Sequence, residues 1–174
     1  MNPKNLLPIA ILAVVAGCSK LPEPAATSQE QATASPPAAP SMSYGKVIVS
    51  DDTVENVFTV ESLEFGNALN YQSRAGVTNV LESVVENPDG TGYVKIEKAY
   101  TFGETYVIII STGENGASCP ATTYAFAFDT KTESVTGTRE IDGCSEIVES
   151  LSDGNKLVVK KDAGSATFYN GEVK

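Results

Sequence analysis

The chain has no histidine and no tryptophan among its 174 residues. The missing histidine removes the commonest general base, the usual activator of a nucleophile and the commonest metal ligand together. A Ser-His-Asp or Cys-His catalytic unit cannot be assembled from what remains. There is no phosphate-binding glycine loop, dinucleotide fingerprint or zinc motif, so no cofactor is expected. Basic residues are also scarce, with 12 Lys and Arg against 22 Asp and Glu and a formal charge of −10. Nucleic acids and anionic lipid surfaces carry the same sign, so neither is an expected partner of the domain itself. A cationic protein is the partner such a charge could select, and solubility is the plainer alternative. The acids are scattered, with no run longer than Asp51-Asp52. Cysteine is limited to three residues, Cys18, Cys119 and Cys144, and none stands in a Cys-x-x-Cys pair.

What is present begins at the amino terminus. Lys4 precedes an apolar stretch from Leu6 to Ala16, and Val15-Ala16-Gly17-Cys18 closes it. About eleven apolar residues are too few to span a bilayer of roughly 30 Å, and Pro8 sits inside them. A short cationic start, an apolar stretch of this length and small residues before a cysteine make a cleavable export signal. The arrangement resembles a bacterial lipoprotein signal, with the lipobox ending at Cys18. The resemblance covers the signal region only. It implies that the Cys18 thiol receives a diacylglycerol, that residues 1–17 are removed, and that the new amino group is acylated. The alternative, an ordinary secretory cut that leaves Cys18 as a free thiol, would expose a reactive cysteine in an oxidising compartment. Two or more acyl chains anchor a protein stably, at roughly 0.8 kcal/mol per buried CH₂. In that family an Asp after the lipidated cysteine goes with inner-membrane retention. Here the position is Ser19, which implies the outer membrane, with the domain in the periplasm or at the cell surface.

Residues 18–43 read as a disordered tether. Pro22, Pro24, Pro36, Pro37 and Pro40 stand among Ala, Ser, Thr and Gln, with no aromatic before Tyr44. Such a composition buries too little apolar surface to offset the entropy of ordering. In an extended, proline-biased form it would reach at most roughly 80 Å.

Residues 44–174 read as one mainly β domain, a small antiparallel sandwich or barrel. Strands are expected at 47–49, 54–60, 93–100, 105–111, 124–128, 134–140, 145–151, 156–161 and 166–170. Tyr106 to Ile110 is apolar on both faces and predicts a doubly covered central strand. Tyr124, Phe126 and Phe128 alternate with Ala125 and Ala127, giving one face of rings and one smooth face. Val77, Val80, Leu81, Val84 and Val85 follow helical spacing, yet valine favours strands. That segment is read as strand, with a short helix near 77–86 as the alternative.

With Cys18 committed to lipid, Cys119 and Cys144 are expected to pair as a disulfide, as even cysteines in an exported domain usually do. Closing a loop of about 25 residues would contribute roughly 3 kcal/mol. The loop Ser111 to Pro120 is rich in small polar residues and is the expected binding surface, with Glu114 and Asn115 at its tip. Asp51, Asp52 and Glu55 lack the pattern of a calcium loop and are read as a turn. The strand tyrosines could form a binding platform but are read as core.

Three functions follow from these features. The first is a non-enzymatic binding or inhibitory lipoprotein that meets a cationic envelope protein. Envelope lysozyme inhibitors and toxin-immunity lipoproteins resemble it in overall design, though no residue motif of theirs is present. The second is a structural accessory lipoprotein of an envelope or secretion assembly, acting through strand-edge pairing or the smooth Ala125/Ala127 face. The third, a hydrolase working with paired carboxylates, has no pair to recommend it.

Overall fold

Fourteen short strands account for most of residues 41–113 and 121–174, the residues described by the computed structural model. They are β1 (Gly45–Val47), β2 (Val49–Ser50), β3 (Thr53–Val54), β4 (Phe58–Ser62), β5 (Asn67–Ser73), β6 (Gly76–Asn79) and β7 (Tyr93–Phe102). They continue as β8 (Thr105–Gly113), β9 (Thr122–Asp129), β10 (Ser134–Ile141), β11 (Glu149–Asp153), β12 (Lys156–Lys161), β13 (Gly164–Tyr169) and β14 (Glu172–Val173). All pairings are antiparallel. They form three sheets, ordered β1-β7-β8-β9-β10, β2-β3-β4-β5-β6 and β11-β12-β13-β14. The fold is mainly β, an antiparallel sandwich, as the alternating pattern predicts.

The turn residues explain the register. Asp51 and Asp52 both adopt positive φ, 48° and 54°, between the paired residues Ser50 and Thr53. That is the conformation of a two-residue type I′ hairpin, which aspartate tolerates better than most residues. Asn170-Gly171, at φ 54° and 82°, does the same between Tyr169 and Glu172. Gly103 and Gly154 supply the single positive φ that opens the β7–β8 and β11–β12 turns.

The first sheet is the middle layer, because both of its faces are apolar. Ile108, Ile110, Phe126 and Phe128 pack with Phe58, Leu69 and Tyr71 of the β2–β6 sheet. Val107, Ile109, Ala125 and Ala127 pack with Leu157, Val159, Ala166 and Phe168 of the β11–β14 sheet. The doubly covered β8 expected from its sequence is therefore found. A bulge in β7 between Ile96 and Lys98 switches the parity of that strand. Val94 and Ile96 before it and Ala99 after it all reach the first core, while Tyr100 and Phe102 reach the second. On the ring side Phe58 is fully buried, with ring centroids of Tyr71, Phe128 and Tyr106 at 5.1, 5.2 and 5.4 Å. The ring of Tyr44 packs against Phe102 at a tilt of 43° with centroids 4.9 Å apart, and its hydroxyl accepts from the Gly171 amide at 2.9 Å.

Several expectations need correction. The smooth face of Ala125 and Ala127 is not an interaction surface. Both residues are fully buried, and small side chains are what let the third sheet lie close to β9. The valine-rich segment divides between the two readings. Gly76–Asn79 is strand with Val77 exposed, and Leu81–Ser83 is a 3₁₀ turn with Val80, Leu81, Val84 and Val85 buried. Asn79 makes the switch, since its Oδ1 accepts from the amides of both Leu69 and Leu81, each at 3.1 Å. The strand expected at 54–60 is broken into β3 and β4 by a turn at 55–57, where Glu55 and Asn56 adopt positive φ. The one expected at 145–151 starts at Glu149, and β5 and β14 have no counterpart among the expected strands.

Candidate functional site

Cys18, Glu114, Asn115 and Cys119 lie outside the described residues. Cys144 is described and stands at the surface in the segment leading from β10 to β11. Of the loop expected at 111–120, the three described residues are strand instead. Ser111, Thr112 and Gly113 belong to β8 and are buried, the Ser111 and Thr123 hydroxyls lying 3.2 Å apart.

What the structure brings together is the ground from which the 114–120 segment departs. Thr112 at the end of β8 stands opposite Thr122 at the start of β9, and Glu140 of β10 stands opposite Tyr124. The chain after the 3₁₀ turn, Glu86-Asn87, closes the other side, and the Gly92 amide donates to the Gly113 carbonyl at 2.6 Å. The result is a cleft of about 200 Å³ lined by Glu86, Asn87, Thr91, Thr112, Tyr124 and Glu140. Both glutamates are exposed and Tyr124 is half-buried. Burial raises the Tyr124 pKa first, and the Glu140 carboxylate raises it further by charge and hydrogen bond, with a smaller contribution from Glu86. Two carboxylates around a phenol that stays protonated form a set of acceptors suited to an ammonium or guanidinium group.

A second cluster sits where β12 ends. The Lys161 side chain is only 1 % exposed, and its ammonium donates to the Ala121 carbonyl at 2.5 Å. Burial pushes its pKa down, opposed by Asp162 and Glu97. Next to it, Asp162 Oδ2 accepts the Ser145 amide at 2.9 Å. Two adjacent residues thus hold the chain two positions after Cys119 and one position after Cys144.

The remaining sequence candidates are placed without chemistry. Asp52 Oδ1 accepts the Ile96 amide at 3.0 Å beside the β7 bulge, and Glu55 accepts the Tyr106 hydroxyl at 2.9 Å. Tyr71 and Tyr100 are core residues, and Tyr93 and Tyr169 are exposed at separate places. Among the described residues, no group of three or more His, Cys, Asp or Glu side chains is placed to hold a metal ion. Glu86 and Glu140 were missed by sequence reasoning, because only the β9–β10 register and the 3₁₀ turn bring them together. No family model, curated protein or solved structure gives a significant match to the chain.

Proposed function

We propose that this chain is a membrane-anchored envelope lipoprotein whose β domain binds a cationic envelope protein without catalysing a reaction, in the manner of a lysozyme inhibitor or a toxin-immunity protein. Cys18 carries the lipid, residues 18–43 are the tether, and the anchor lies in the outer membrane with the domain in the periplasm. The observation that carries the binding reading is the cleft between Glu86, Glu140 and Tyr124. It opens at the root of the segment that bears Glu114 and Asn115. A basic side chain entering there would meet two carboxylates, with the acidic surface steering the approach. A chain without histidine fits binding better than acid–base chemistry. The Cys119–Cys144 bridge belongs to the same proposal. The grip of Lys161 on Ala121 and of Asp162 on Ser145 supports it, since both neighbours of the bridge converge on one turn.

The test is functional. Purified protein should inhibit or capture a basic muramidase or a basic secreted toxin at low salt and release it as salt rises. If such enzymes stay fully active and nothing basic is retained, the binding reading fails. The second reading, an accessory subunit acting by strand-edge pairing, is favoured by one observation, the exposed outer edge of β11.

A further inference from the structure

β11 is the outermost strand of its sheet and pairs with β12 alone. The two-residue turn Gly154-Asn155 closes on the pair Asp153 and Lys156. Antiparallel alternation then directs the backbone groups of Asp153, Leu151 and Glu149 toward β12. The N–H and C=O of Ser150 and Ser152 are left pointing off the sheet, and no backbone group among the described residues pairs with them.

Along this edge runs a groove of about 500 Å³ lined by Lys98, Glu149, Ser150, Leu151, Val158 and Lys160. Its inner end is fixed by the Tyr100 and Ser150 hydroxyls, 2.6 Å apart. A second hollow of about 400 Å³, bordered by Lys46 and Ile48, lies near it and has Lys98 in common with it. Leu151 and Ile48 are 72 % and 81 % exposed, so apolar side chains stand open in both parts. The charge here runs against the rest of the molecule. Ion pairs among the described residues use Arg74, Lys95, Lys131 and Lys174, whereas Lys46, Lys98 and Lys160 have none. Glu97 is already paired with Lys95 at 3.1 Å, and Glu149, with Asp162 beyond it, lies at the Lys160 end. Away from that end, Lys46 and Lys98 are left as the ammonium groups of the two hollows without an ion pair.

We propose that this edge docks an extended acidic segment of a partner protein, which adds a fifth strand beside β11. The free backbone groups of Ser150 and Ser152 supply main-chain hydrogen bonds to every second residue of the incoming strand. Leu151, Val158 and Ile48 receive its apolar side chains, and Lys98, Lys160 and Lys46 receive its carboxylates. A lipid headgroup would satisfy the lysines but not the row of backbone donors and acceptors. The surface is distinct from the acidic cleft and does not depend on it.

The experiment uses the full-length chain in mild detergent and a capped heptapeptide, Glu-Ser-Val-Ser-Glu-Ser-Val, whose glutamates and valines share one face of the strand as Lys160, Leu151 and Val158 do. Labelled peptide should bind saturably, and amide exchange at Ser150 and Ser152 should slow by about tenfold or more on binding. Reversing charge with Lys98→Glu and Lys160→Glu together should weaken binding by about tenfold or more. Ser152→Pro removes one outward N–H at a position where an edge strand accepts proline, and it should abolish the protection. The charge variants lie on the surface, so they keep the test decisive if the proline variant does not fold. Unchanged exchange at both serines, or equal binding of the peptide with lysine in place of glutamate, would overturn the proposal. So would lysine-dependent binding to phosphatidylglycerol vesicles with no binding of the peptide.

Discussion

The Tyr106 hydroxyl donates a 2.9 Å hydrogen bond to the Glu55 carboxylate, tying the middle strand of the central sheet to the β3–β4 loop of its neighbour. Burial and the adjacent carboxylate push the Tyr106 pKa up to about 12. The folded value lies above the unfolded one, so the folded state holds the proton more tightly. The stability this contributes is fully present below pH 10 and is lost as pH rises toward about 12. In an ultraviolet titration one tyrosine should ionise near that value in the folded protein. Tyr106→Phe should remove that step and flatten the fall in stability above pH 10.

Lys161 gives the opposite slope. Its folded pKa is lowered from 10.5, so the unfolded state binds the proton more tightly over the interval below that value. Stability therefore rises with pH through this interval. Lys161→Met should remove the rise. It should also cost about 1–3 kcal/mol at neutral pH, because the Ala121 carbonyl loses its charged donor. Denaturant melts of both proteins from pH 7 to 10 would check both expectations.

Thiol counting reports on all three cysteines at once. Protein extracted from membranes should show no reactive thiol when unfolded without reductant and two after reduction. One thiol before reduction would mean that Cys18 is not lipidated. Cys144→Ser should lower stability by roughly 3 kcal/mol in the chain-entropy account of a 25-residue loop.

The two cores differ in what they tolerate. Phe58→Ala empties a site surrounded by three rings and should cost about 3–5 kcal/mol. Ala127→Leu adds volume where β9 meets the third sheet and should cost about 1–3 kcal/mol. An exposed alanine would accept the same change with almost no effect, so a thermal melt of Ala127→Leu checks the three-layer arrangement.

Strand patterning was legible wherever large and small residues alternate. Phe126 against Ala125, and the run from Lys156 to Lys161, were read from sequence with little error in their ends. Alternation alone could not tell what covers the small residues. The clue was present in Leu157, Val159, Ala166 and Phe168, whose own apolar face required a partner sheet. β5 escaped because Asn67, Asn70 and Gln72 dilute its pattern, and its place depends on distant contacts such as Asn67 Nδ2 to the Thr91 carbonyl. β11 begins late because Gly143, at φ 136°, and the Ser145–Asp162 bond turn the chain before it can pair. The acidic cleft was illegible for a related reason. Glu86 and Glu140 are brought near Tyr124 only by a turn and a cross-strand register.

The most direct measurement of the binding account is the affinity of the full-length chain for a basic muramidase, compared with that of the Glu86→Lys, Glu140→Lys double variant. Both glutamates are exposed, so the variant should fold normally. The account predicts saturable binding at low salt that the variant weakens by about tenfold or more, with a smaller salt dependence. Equal affinity of the two proteins, or no binding by either across basic muramidases and toxins, would contradict it.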